Sequence, residues 1–112
     1  MDGRIKNFNL GCDYMIKLIT EGYYDDIQKF IDYNFNSISE ICERCGYTPY
    51  KEIYKRTMDN ALCFDATPSR RMPNLKKLEQ ELNRYICENF DFNFFILPLT
   101  SNLGDIRIGI FY

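Results

Sequence analysis

Cys42 and Cys45, spaced Cys-x-x-Cys and followed by Gly46, have the look of a zinc knuckle, in which two thiolates on a tight turn supply half of a tetrahedral site. The other half has no matching pair, since Cys12, Cys63 and Cys87 are scattered and the chain has no His. Cys42, Cys45, Cys63 and Cys87 are the only metal set the sequence offers. Cys42 and Cys45 also fit the apolar face of a short helix, so the preferred reading is buried core thiols without a metal. Without His a nucleophilic Cys lacks its usual base, and neither a Walker-type glycine loop nor a G-x-S-x-G elbow occurs. Asp65-Ala66-Thr67-Pro68-Ser69-Arg70-Arg71 could hold an anion through its paired arginines, although a solvated loop explains it as well. The expectation is a protein that is not an enzyme and needs no cofactor.

The charged residues point to binding instead. The 112 residues carry a net charge of −2, which argues against a generic polyanion binder, but the charge is uneven. Between Glu21 and Glu43 six acids, among them Asp25, Asp26 and Asp32, face the single base Lys29. Between Lys51 and Lys77 seven bases (Lys51, Lys55, Arg56, Arg70, Arg71, Lys76 and Lys77) outnumber three acids. These two segments are the candidate partner-binding surfaces, because a dipolar surface suits an oriented encounter with a charged macromolecule.

Apolar periodicity supplies the elements that must carry these charges. Tyr14, Met15, Leu18 and Ile19 predict a helix over 13–21, and Ile27, Phe30 and Ile31 a second over 24–34, with Asp25 and Asp26 favouring its start. Ser37 and Glu40 have capping-box spacing and open a short third helix that ends at Gly46. Thr48 as cap and Pro49 at the first position open a fourth helix, with Tyr50, Ile53, Tyr54, Thr57 or Met58, and Ala61 facing inward. Residues 63–74, with Pro68 and Pro73, read as a loop, and Leu75, Leu78, Leu82, Tyr85 and Ile86 as an amphipathic helix over 75–89. Phe92, Phe94 and Ile96, then Ile106, Ile108, Ile110 and Tyr112, alternate around turn residues and predict a β-hairpin over 92–112. A lone hairpin is marginal, so it must pack on or beside the long helix over 75–89 or find a third strand, from Gly3 to Leu10 or from a second copy of the chain. The uninterrupted Phe94-Phe95-Ile96-Leu97 run would be hazardous on an exposed edge, so homodimerisation through the hairpin is one expectation. The fold class expected is α+β: one domain over 1–112, four or five short helices, then the hairpin.

Two families resemble parts of the chain. Ser39-Glu40-Ile41-Cys42 and Cys45-Gly46-Tyr47-Thr48, within 27–56, resemble an AraC-type helix-turn-helix, which implies DNA binding by the helix after Thr48. The register departs from that family, because the positions it buries after the turn glycine are here Glu52, Lys55 and Arg56. Leu18 to Gly22, Ile27, Phe30-Ile31, Asn34 and Gly46-Tyr47-Thr48-Pro49 resemble one ankyrin repeat, which implies protein binding. Here the departure is a capped helix where the repeat has a short loop, and a single copy where three or more are the rule.

Five Cys make an odd number, a poor start for a disulfide framework, so the thiols are read as reduced and the address as the cytosol. No stretch has a membrane span's length, and Met1 to Leu10 lacks a signal peptide's apolar run. Nine Phe, nine Tyr and thirteen Ile against two Ala and no Val reflect AT-rich codons, as in low-GC bacteria, their phages and large DNA viruses. The expected function is a small regulatory or inhibitory protein that binds another protein, with DNA binding as the alternative and a zinc protein behind it.

Overall fold

The computed structural model describes residues 22–99 and 104–112. The helix expected over 13–21, the strand considered at Gly3 to Leu10, Cys12 and the turn residues 101–103 lie outside them. The chain divides into two compact units, Met1–Phe30 and Ile31–Tyr112. Among the described residues its elements are helix α1 (Tyr24–Arg44), strands β1 (Tyr47–Pro49) and β2 (Tyr54–Arg56), a 3-10 turn (Thr57–Asp59), β3 (Ala61–Pro68), helix α2 (Leu75–Leu82) with a π-helical extension (Asn83–Cys87), β4 (Asn93–Pro98) and β5 (Ile106–Phe111). The class is α+β, but four or five helices before a lone hairpin is not the architecture. One long helix, one short helix and a five-stranded antiparallel sheet take their place.

In the first unit, the opening of α1 buries Tyr24, Ile27 and Phe30, and Tyr23 meets Tyr24 edge-on at 5.2 Å between ring centroids. Asp25 and Asp26 lie exposed in its first turn, where carboxylates suit the positive end of the helix dipole.

In the second unit α1 continues without a break, burying Ile31, Phe35, Ile38 and Cys42, and Cys45 just past its end, at alternating steps of four and three. This overturns the two separate helices expected over 24–34 and 37–45. No Gly or Pro interrupts 24–44, and Phe35, which packs edge-on against Phe64 at 5.5 Å, needs a continuous helix to reach the sheet. Burial outweighs the turn-forming preference of Asn34, Asn36 and Ser37. The helix ends at Gly46, whose φ of +94° suits glycine alone.

The helix expected over 48–61 is replaced by β1, β2 and the 3-10 turn, closed by Asn60 in the left-handed region at φ 53°. Of its expected inner face Tyr50 and Met58 are exposed, Ile53 and Tyr54 are half-buried, and Ala61 is buried as the first residue of β3. Tyr, Ile and Thr favour strands, and β3 offers an edge to pair with. The loop expected over 63–74 is also shortened, because β3 runs to Pro68.

β1 and β2 both line one edge of β3, with Thr48 opposite Thr67 and Tyr54 opposite Cys63. The other edge of β3 pairs with β5, which pairs in turn with β4, giving the order β1-β3-β5-β4. The third strand that the hairpin needs is therefore β3, a source the sequence reading did not consider. Leu62, Phe64, Ala66, Ile106, Ile108 and Ile110 form the buried face, while Leu78, Leu82 and Ile86 bury the inner stripe of α2 and its extension. Asn74 caps α2 by accepting the Lys77 N–H at 3.0 Å.

Candidate functional site

The loop from Ser69 to Asn74 is fastened to the end of α1 by backbone bonds at both of its ends. Ser69 N–H donates to the Gly46 carbonyl and Asn74 N–H to the Cys45 carbonyl, each at 2.8 Å. Between them Arg70 donates a guanidinium N–H to the Arg44 carbonyl at 2.8 Å, a charge-assisted bond to a helix C-terminus. A Cβ on Gly46 would stand 2.5 Å from Arg70 Nε and 2.9 Å from the Pro73 backbone, so the loop packs directly on that glycine. Arg44 reaches Glu81 on α2 at 3.0 Å and closes the frame.

What this frame presents is apolar and cationic. Met72 is 80% exposed, Leu75 is 37% exposed, and Arg71, Lys76 and Lys77 are exposed beside them. Arg71 and Lys76 form no ion pair among the described residues. Met and Arg are enriched at protein interfaces, and a loop held in place before contact loses little freedom on binding.

The sheet face opposite the core holds a polar cluster. Tyr54 on β2 donates its hydroxyl to Asp65 Oδ1 on β3 at 2.7 Å, and Arg107 Nε on β5 donates to the same oxygen at 3.2 Å. The Arg107 guanidinium also lies 5.3 Å from the centre of the Tyr54 ring. Burial, then the bond to Asp65, pushes the Tyr54 phenol well above its ordinary value, and the Asp65 bond raises Arg107. Tyr54 stays protonated and Arg107 charged, and the cluster joins β2, β3 and β5. Residues 50–53 leave the ladder here, with Tyr50 N–H reaching the Asp65 carbonyl at 2.9 Å. A cavity of about 90 Å³ opens between Tyr50, Glu52, Tyr54 and Asp65, well below the roughly 300 Å³ at which small-molecule sites begin.

Cys42, Cys45, Cys63 and Cys87 are free thiols, the first three buried. Desolvation raises all four, Cys42 to about 12 with the neighbouring Cys45 adding to it, and Cys63 to about 11. Such thiols stay protonated at neutral pH, which disfavours a nucleophilic role. Among the described residues no three His, Cys, Asp or Glu side chains come together as a metal site.

The remaining residues expected to bind a partner are scattered over the second unit and the helix. Asp25, Asp26 and Asp32 are exposed on α1, and Lys55 is exposed on β2. Lys51 leans over the Phe35 ring at 5.7 Å, and Arg56 is half-buried in an ion pair with Asp59. Only Arg70, Arg71, Lys76 and Lys77 are brought together. The segment after Thr48, which the helix-turn-helix resemblance makes a DNA-reading helix, holds the end of β1, an irregular stretch over 50–53, β2 and the 3-10 turn. Sequence reasoning missed Tyr54 and Arg107, and took Asp65 for a loop residue. The alternation of Phe64, Asp65 and Ala66 in an apolar run was the available signal.

No family model matches the chain, and no curated protein or solved structure matches it either. No helix among the described residues is long and apolar enough to cross a membrane.

Proposed function

We propose that this protein is a small, non-enzymatic regulatory or inhibitory protein of the cytosol that acts by binding another protein through the loop Ser69–Asn74 and the first turn of α2. The observation that carries this reading is the outward Met72 and Arg71 on a loop fastened at both ends. The partner has an apolar recess for the Met72 thioether, rimmed by carboxylates that meet Arg71, Lys76 and Lys77. Free thiols at Cys42, Cys45, Cys63 and Cys87 support a reducing compartment.

A photo-crosslinking residue at position 72, expressed in the source cell, tests this. A protein adduct is expected that Arg71→Glu abolishes and that the same crosslinker at exposed Glu79 does not give. Equal adducts from both positions, or none from 72, would remove the loop as the binding surface.

A further inference from the structure

The strand register forces an arch in the chain at residues 50–53. Pro49 stands opposite Ala66 and Tyr54 opposite Cys63, so these residues span a stretch of β3 that holds only Phe64 and Asp65. The surplus chain must leave the edge of the sheet. Tyr50 N–H ties one foot of the arch to the Asp65 carbonyl at 2.9 Å. The cavity of about 90 Å³ lies between the arch, which contributes Tyr50 and Glu52, and the ladder, which contributes Tyr54 and Asp65.

Two phenol rings and two carboxylates line this space, and its acceptors are not all used. Asp65 Oδ1 receives both the Tyr54 hydroxyl and Arg107 Nε, whereas Oδ2 takes no bond from a described residue. Glu52 is exposed and forms no ion pair among the described residues. The bases close to it in sequence are turned elsewhere. Lys51 lies over the Phe35 ring, Lys55 alternates to the face of β2 opposite Tyr54, and Arg56 is paired with Asp59. With Arg107 set against Asp65, the cavity keeps the negative charge of Glu52.

Arg107 shows what such walls bind. Its guanidinium joins Asp65 at 3.2 Å and lies 5.3 Å from the centre of the Tyr54 ring, combining an ion pair with a cation–π contact. A metal ion is a poorer match, because no three His, Cys, Asp or Glu side chains come together among the described residues. The volume takes the end of one side chain and not a whole small molecule.

We infer that this cavity receives one basic side chain, arginine or lysine, of a protein partner, with its charged head on Glu52 and Asp65 Oδ2 and its stem along the exposed Tyr50 ring. Such a head carries donors alone, and the unused carboxylate oxygens are acceptors alone. The site shares no residue with the loop Ser69–Asn74, and the inference stands whether or not that loop binds.

Titration of the full chain with N-acetylarginine amide and with N-acetyl-lysine amide, followed by amide nuclear magnetic resonance, tests it. The Tyr50, Glu52, Tyr54 and Asp65 amides should shift together and saturate in the millimolar range with at least one of the two, the tighter naming the residue. N-acetylcitrulline amide, the neutral counterpart of the arginine probe, and calcium chloride should leave them in place. Glu52→Gln, at an exposed position, should weaken the titration at least about threefold, as loss of a solvent-screened ion pair does. Arg71→Glu should titrate like the parent, which separates this site from the loop. No saturable shift at these amides, the same shift with citrulline, or Glu52→Gln titrating like the parent overturns the inference. So does saturation by calcium, which would make the cavity an ion site. Movement of these amides on concentrating the protein alone would seat a second copy's basic residue there, and would overturn the assignment to a separate partner.

Discussion

Arg70 lies against Gly46 and donates to the Arg44 carbonyl at 2.8 Å, whereas its neighbour Arg71 is exposed and forms no ion pair among the described residues. Two adjacent arginines of one loop therefore have different roles. Arg70→Ala should lower stability by about 1 kcal/mol, the usual worth of a part-exposed charge-assisted bond at a helix end. Arg71→Ala should stay within about 0.5 kcal/mol of the parent. Urea denaturation of the two single variants measures the difference, and equal midpoints would show that the loop is not docked on α1.

The buried thiols set an alkaline limit. Burial raises Cys42 from 9.0 to about 12 and Cys63 from 9.0 to about 11, so the folded state holds these protons more tightly than the unfolded chain does. A raised pKa contributes stability that is complete below about 9 and is lost as pH rises toward the folded value. Each thiol should steepen the fall by up to roughly 1.4 kcal/mol per pH unit in that window. Thermal melts between pH 8 and about 11 should show the decline, and Cys42→Ala should flatten its slope while lowering stability at pH 7. A parent melting temperature constant across that window would mean that Cys42 is not desolvated.

Leu78 and Leu82 are fully buried on α2, beside Ile86 on its extension. Leu78→Asp places an unpaired carboxylate where no donor awaits it, and should cost at least about 4 kcal/mol, enough to abolish cooperative unfolding. Near-ultraviolet circular dichroism should lose its tertiary signal. A variant with the parent's spectrum and melting temperature would place that face of α2 in solvent.

The same residues show which parts of the fold a sequence makes legible. Leu78, Leu82 and Ile86 repeat at helical spacing, and Ile106, Ile108 and Ile110 alternate, because each set buries one face and that burial prints a period. Ser37 and Glu40 mislead for the opposite reason. Their capping chemistry is local and visible, while the force that carries α1 through them is the contact of Phe35 with Phe64, twenty-nine positions away. Tyr50, Ile53 and Tyr54 fit a helical period, but pairing with β3 decides that they leave it, and such pairing is non-local. The cationic character of Arg70, Arg71, Lys76 and Lys77 was visible in the sequence. That Arg70 fastens the loop while Arg71 faces outward was not, nor was Asp65 joining Arg107 across forty-two positions.

Gly109 and Phe95 provide the most demanding test of the sheet. They stand opposite each other on β5 and β4, and the Phe95 ring covers the glycine so closely that a Cβ would meet three ring carbons at 2.2, 2.5 and 2.7 Å. An aromatic ring laid over a cross-strand glycine supplies the contact that the missing side chain cannot. Gly109→Ala must displace the ring and with it the packing of Phe95 on Phe111, whose centroids are 6.0 Å apart. A loss of about 1–3 kcal/mol is expected, the usual cost of overpacking. Phe95→Ala alone should also destabilise, by uncovering the glycine and removing the ring. In the double variant the clash has no source, so the two losses should combine to less than their sum by at least about 0.5 kcal/mol, the coupling expected of residues in contact. Strict additivity in that cycle would mean that the ring does not rest on Gly109, and that β4 and β5 are held by their backbone ladder alone.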